Sequence, residues 1–142
     1  MPYATQSDLE HLLTPQRLAQ LSDLDADGAA DTDVVADACA RASREIDGYI
    51  SPRYTVPIAG TTPELLRAIA ARWAVYLLML DRDSVTDSAD TQHKADVRFM
   101  ERVGEGKASL GDPVNAPEGD AAHGMAFGSE DARFTRAKLK GW

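Results

Sequence analysis

Asp23-Leu24-Asp25-Ala26-Asp27-Gly28, followed by Asp31, is the stretch of this chain whose residue types and spacing could do chemistry. Its carboxylates fall at positions 1, 3, 5 and 9 of a calcium-binding EF-hand loop, with Gly28 at the sixth position, where the sharp turn needs glycine. A short helical pattern precedes the loop and a long one follows it, as that motif requires. The twelfth position, however, is Val34, where calcium ordinarily takes two oxygens from a glutamate. Two readings stay open. Either Asp23, Asp25, Asp27 and Asp31 hold a weakly bound calcium, with Asp33 or Asp37 supplying a substitute oxygen, or the run is an acidic turn that caps the next helix. Six aspartates between positions 23 and 37, with no Lys or Arg among them, repel one another unless neutralised. A cation or the basic end of a neighbouring subunit would do that.

Elsewhere the catalytic inventory is empty. His11, His93 and His123 are far apart with no ligand spacing, and His93 sits on an apolar stripe as a core or boundary histidine. Cys39 is the single cysteine, so neither an internal disulfide nor a cysteine-cluster zinc site can form. It falls on the buried face of its helix with no base expected beside it, which argues against a reactive thiol. There is no Gly-x-Ser-x-Gly elbow and no Walker-type phosphate loop. No catalytic residue is expected, and no enzyme.

The elements that position the acidic run are helical. Thr5 followed by Asp8 reads as a cap with an acidic residue at its third position, opening a short helix through Leu9, Leu12 and Leu13. Thr14-Pro15 restarts the chain for a second short helix carrying Leu18 and Leu21. From about Asp33, Val35, Cys39, Ala42, Ile46 and Tyr49 recur at helical spacing, and Pro52 ends that helix near Ser51. Thr62-Pro63-Glu64 repeats the cap-then-proline start. It opens the most hydrophobic stretch of the chain, which runs from Leu65 to Leu80 and includes Trp73 and Tyr76 as core residues. Arg67, Arg72 and Arg82 mark where this central helix meets water. A last helix runs roughly from Ser88 to Val103, with Gly104 and Gly106 as its stop. No segment shows strand alternation, so the expected fold is all-α, a small bundle of about five helices.

Residues 1–104 form the helical head and hold 10 Lys and Arg against 17 Asp and Glu. An acidic surface disfavours tight binding of duplex DNA, whose affinity is built from clustered cations, and suits a wall past which DNA slides. The first six residues lack the basic and apolar regions of a signal peptide, and the apolar run from Trp73 to Leu80 is too short to span a bilayer. A soluble protein made in the cytosol is expected, with no membrane partner.

Residues 105–142 change character. Gly111, Pro113, Pro117, Gly119, Gly124 and Gly128 oppose regular helix, leaving a long extended C-terminal arm as the expectation. The arm closes on a basic and aromatic end from Arg133 to Trp142. Phe134, Leu139 and Trp142 read as apolar anchors, and Arg136, Lys138 and Lys140 as cations for an acidic partner surface.

Several of these pieces together resemble a known family. They are Tyr3-Ala4-Thr5 with Asp8-Leu9, the acidic Asp23-to-Gly28 run, and the block Ile46-Asp47-Gly48-Tyr49-Ile50-Ser51-Pro52-Arg53-Tyr54 with Val56-Pro57-Ile58. Gly106-Lys107-Ala108-Ser109-Leu110-Gly111 and the Arg133-to-Trp142 ending complete the set. The chain looks like the Mu-like prophage proteins encoded among head and neck genes. That family is similar in size and helical content to the head–tail connector, or adaptor, proteins of tailed phages.

The resemblance implies a structural protein of the virion neck, assembled in the bacterial host cytoplasm as a ring of twelve copies beneath the portal protein. Its further partner would be a downstream neck or tail-completion protein, with DNA passing through and not specifically bound. The competing expectation is a calcium-responsive helical scaffold or regulatory module built on the Asp23–Asp31 loop; a basic DNA-binding regulator would want a cationic recognition helix, and none of the five has one.

Overall fold

A computed structural model describes residues 1–111. Five helices follow in order: α1 Gln6–Leu12, α2 Pro15–Ser22, α3 Thr32–Ile50, α4 Glu64–Asp81 and α5 Asp87–Gly104. No strand occurs among the described residues, and the all-α bundle read from the sequence is the fold observed. The extended arm, as far as it runs past Gly111, lies outside the described residues.

Local chemistry accounts for the helix starts. The Asp8 carboxylate accepts from the Thr5 backbone N–H at 2.8 Å and from its hydroxyl at 2.9 Å, tying the free end of α1 to its first turn. Thr14 Oγ1 accepts from Arg17 N–H at 3.2 Å, and Pro15, which has no N–H to satisfy, opens α2. Thr86 Oγ1 does the same for Ala89 N–H at 3.1 Å and opens α5. At α4 the register differs by one residue from the cap-then-proline reading: Pro63 is itself the N-cap, its carbonyl accepting from Arg67 N–H at 3.0 Å, and Glu64 is the first helical residue.

α4 lies at the centre and touches the other four helices. Its run is apolar nearly all round because it is covered nearly all round: Leu66, Ile69, Ala70, Trp73, Ala74 and Leu78 are buried, while Leu65 and Leu80 near its two ends stay exposed. α3 contributes the amphipathic stripe Val35, Cys39, Ala42, Ile46 and Ile50, all at 1% exposure or less. α5 closes the bundle with Met100 and Val103. Its last residue lies directly on α3, since a Cβ on Gly104 would stand 2.2 Å from the Tyr49 carbonyl oxygen. Only glycine permits that approach.

Two sets of ties hold the irregular parts, one long-range and one local. Tyr3, 4% exposed, donates its backbone N–H to Ser43 Oγ at 2.8 Å. Its hydroxyl donates to the Asp47 carboxylate and accepts from Ile58 N–H at 3.0 Å, so one phenol fastens the N-terminus, α3 and the link between α3 and α4. At the other end, packing does not stop at Gly104. Lys107 N–H and Ala108 N–H return to the Arg102 carbonyl at 2.8 and 3.2 Å, Gly106 takes a positive φ, and Leu110 is buried at 2%. The core therefore extends past the residue 104 boundary read from composition, because Leu110 carries one more apolar side chain onto it.

Candidate functional site

The acidic loop connects α2 to α3, and its carboxylates are engaged first by the loop's own backbone. Asp23 accepts from Ala26 N–H at 2.6 Å and Gly28 N–H at 2.9 Å, Asp25 from Asp27 N–H at 3.2 Å, and Asp27 from Ala29 N–H at 2.8 Å. Gly28 has a φ of 86°, the left-handed conformation that glycine takes without strain. The Gly28 N–H, with further loop donors, holds the Asp23 carboxyl below the usual carboxylate range. Asp25, although it accepts from Asp27 N–H, is held above that range by desolvation and by the neighbouring charges of Asp27 and Asp31.

Oxygens of Asp23, Asp25 and Asp27 all lie within 4.8 Å of one another. Asp31 is outside that group: it is the N-cap residue of α3, and its carboxylate turns back to accept from Leu24 N–H at 2.7 Å. The four aspartates that EF-hand spacing joins are thus split into three that converge and one that closes the loop. Val34 stands within α3. The nearest cation comes from far away in sequence: the Arg82 guanidinium, at the end of α4, donates to the Leu21 carbonyl and to the Asp23 carbonyl. It caps the end of α2 and brings one positive charge to the loop. Arg41 bridges Asp81 at 2.8 Å and Asp37 at 4.0 Å on the same end of the bundle.

A second feature was not foreseen. Between the end of α1, the middle of α4 and the first half of α5 runs a groove of about 300 Å³. Leu12, Leu13, Val75, Tyr76, Met79 and Ala89 form its apolar lining, and Leu12 is 49% exposed. Arg72, Gln92, His93 and Asp96 also line it. Asp96 is buried, its side chain 7% exposed, and takes both prongs of the Arg72 guanidinium. Arg72 still meets water in part, as read from the sequence, but it is also committed to α5 through a pairing that reading did not include. Its signal was present: Asp96 follows His93 by three residues and precedes Met100 by four, so it shares their apolar stripe, and a carboxylate there needs a cation from the facing helix.

His93 stacks on Tyr76 with ring centroids 3.9 Å apart and planes 4° from parallel, and meets Trp73 edge-on at 4.6 Å. Trp73 in turn donates its indole N–H to Glu45 at 2.7 Å. Burial lowers the His93 pKa, against the opposing charges of Glu45, Asp96 and Asp90. Its Nδ1 is shut away from solvent with no hydrogen-bond partner among the described residues. Cys39 is buried, and desolvation, with the charge of Asp8, pushes its thiol up to about 11, far from a reactive thiolate at neutral pH.

The anchors expected at Phe134, Arg136, Lys138, Leu139, Lys140 and Trp142 lie outside the described residues. No helix among the described residues is long and apolar enough to cross a membrane.

Relatives supply what the site geometry alone does not. The matching sequences make this a bacteriophage protein. The chain belongs to the family described as Bacteriophage Mu, Gp36, which matches residues 3–128. It is 29% identical over 140 residues to the Mu-like prophage FluMu protein gp36 of Haemophilus influenzae, covering 99% of this chain and 97% of that protein. It is 33% identical over 124 residues to Gene product J of Escherichia phage Mu, covering 84% of this chain and 86% of that one.

Proposed function

We propose that this protein is a head–tail connector: a structural subunit of the phage neck, assembled in the host cytoplasm as a ring of twelve copies beneath the portal. It joins the portal to a downstream neck or tail-completion protein and performs no catalysis. The observation that carries this reading is a small, well-packed helical head, in a Mu phage family, with 17 Asp and Glu against 10 Lys and Arg in residues 1–104. A ring wall of that kind lets DNA pass, because the like charges of phosphate and carboxylate give it nothing to grip. The partner-binding residues are Phe134, Arg136, Lys138, Leu139, Lys140 and Trp142.

In this reading the Asp23–Asp31 loop is an acidic surface turn, closed by its own backbone and by Arg82. The convergence of Asp23, Asp25 and Asp27 favours a second reading, a calcium-responsive module, but Asp31 turned to Leu24 and Val34 at the twelfth position leave that site short of ligands. Deleting residues 130–142 tests the first reading. The truncated subunit should keep the helical circular dichroism of the full chain and fail to assemble into necks; normal incorporation would refute the proposal.

A further inference from the structure

We propose that the groove between α1, α4 and α5 is the seat for the basic and aromatic C-terminal segment, residues 133–142, of a neighbouring copy of this chain. The inference rests on the connector reading, since a segment that docked on its own head would fasten nothing. It goes further by assigning the partner surface to particular residues of the next subunit.

The groove has the properties that such a segment would use. Its volume of about 300 Å³ exceeds that of a large aromatic side chain, and Leu12 is left half exposed there although it belongs to the bundle's own apolar pattern. An aromatic side chain entering beside Leu12, Val75 and Met79 would remove that surface from water. Tyr76 and His93 already form a stacked pair on one wall, against which a further ring or a guanidinium can pack. Arg72 and Asp96 neutralise each other in the lining and leave it without net charge.

Charge complementarity selects the occupant. Near the groove Lys94 is spent on Asp90 at 2.6 Å, while Asp87, between lining residues Thr86 and Ser88, forms no ion pair among the described residues. Residues 133–142 carry Arg133, Arg136, Lys138 and Lys140 with no acidic residue, interleaved with Phe134, Leu139 and Trp142. No ten-residue stretch elsewhere in this chain carries four cations and no acidic residue.

Reach allows the neighbour. Described packing ends at Leu110 and Gly111, past the C-terminal end of α5, whereas the groove lies along the first half of that helix, about 18 Å back at 1.5 Å per residue. Positions 112–132 separate Gly111 from Arg133, enough for about 70 Å of chain at full extension. A globule of this size has a radius of gyration of about 13 Å. The segment can therefore cross to an adjoining subunit.

Variants of the full chain in which Cys39→Ala removes the native thiol and one new cysteine is introduced test the assignment. Copies carrying Ala89→Cys in the groove are mixed with copies carrying Ala137→Cys in the segment, and disulfide-linked heterodimers are measured after mild oxidation. Arg44→Cys, on the exposed side of α3, replaces Ala89→Cys as control, and circular dichroism confirms that every variant is folded. Linkage through position 89 should exceed linkage through position 44 at least tenfold, and fall to the control level when Phe134→Ala and Trp142→Ala are added to the Ala137→Cys copy. Equal linkage at both positions, no linkage, or linkage only within one chain of the Ala89→Cys/Ala137→Cys double variant would overturn the proposal. The two readings fail separately. Rings without the position 89 link would leave the connector standing and remove this docking, whereas the link in a protein absent from virion necks would do the reverse.

Discussion

Arg72 on α4 and Asp96 on α5 are joined by a two-pronged ion pair, Nε to Oδ2 at 3.0 Å and Nη2 to Oδ1 at 2.8 Å, with Gln92 donating to the same carboxylate at 3.2 Å. Planar guanidinium against planar carboxylate fixes both distance and rotation between the two helices. Breaking a buried pair from one side costs about 3–5 kcal/mol because the remaining charge stays buried. Arg72 is 33% exposed and can partly rehydrate, so Asp96→Ala should cost less, roughly 2–3 kcal/mol. The double change Arg72→Met with Asp96→Leu should recover much of the loss. Urea unfolding of Arg72→Met, Asp96→Leu and the double forms the cycle; additive losses would show that the pair does not couple α4 to α5.

The glycines at 48 and 104 make opposite predictions. A Cβ on Gly48 meets nothing within 4 Å, so Gly48→Ala should stabilise α3 by roughly 0.5–1 kcal/mol through helix propensity alone. At Gly104 the added Cβ runs into the Tyr49 carbonyl, which no rotamer can move aside, and Gly104→Ala should destabilise by about 1–3 kcal/mol. Thermal melts of both variants would check the pair. Similar shifts in one direction would contradict the close approach of α5 to α3.

His93 sets the sign of one pH effect. Burial holds its folded pKa below the ordinary value near 6.5, against the charges of Glu45, Asp96 and Asp90 that face it. The unfolded chain therefore binds the proton more readily. Its contribution is intact above pH 6.5 and is lost as pH falls through the lower, folded value. Asp23 and Asp90, whose pKa values are depressed from an ordinary value of 3.8, lose their contribution only at lower pH. His93→Phe, which keeps a ring against Tyr76, should flatten the stability curve between pH 6.5 and 5. Parallel curves for the variant and the parent would rule this out.

Calcium calorimetry separates the two readings of the acidic loop. With three convergent carboxylates and no bidentate ligand, binding should be no tighter than about 10⁻³ M, and the helical spectrum should not change. A micromolar site with a conformational response would favour the calcium-gated module.

Much of the head was legible because its helices obey local rules. Thr5 with Asp8, Thr14 with Pro15, and the stripe Val35–Cys39–Ala42–Ile46 each state a start or a buried face within a few residues. What was not legible depends on residues far apart in sequence. Nothing near Arg82 in sequence says that it will cap α2 at Leu21, and nothing near Tyr3 says that its hydroxyl will meet Asp47 and Ile58. The groove is likewise a product of three helices meeting, so no single stripe announces it. Asp96 was the exception, a carboxylate on an apolar stripe whose partner could have been sought on the facing helix. Asp31, the ninth position of the EF-hand spacing, lies apart from the three converging carboxylates because the chain turns into α3 there and its carboxylate accepts from the Leu24 N–H, a loop closure that spacing alone does not state.

The connector assignment meets its most direct test in the virion itself. A cryo-electron microscopy reconstruction of the phage neck, without imposed assumptions about its composition, should show twelve copies of this helical head in a closed ring between the portal and the tail. Absence of the protein from the particle, or its placement in the tail tube or fibres, would contradict the account.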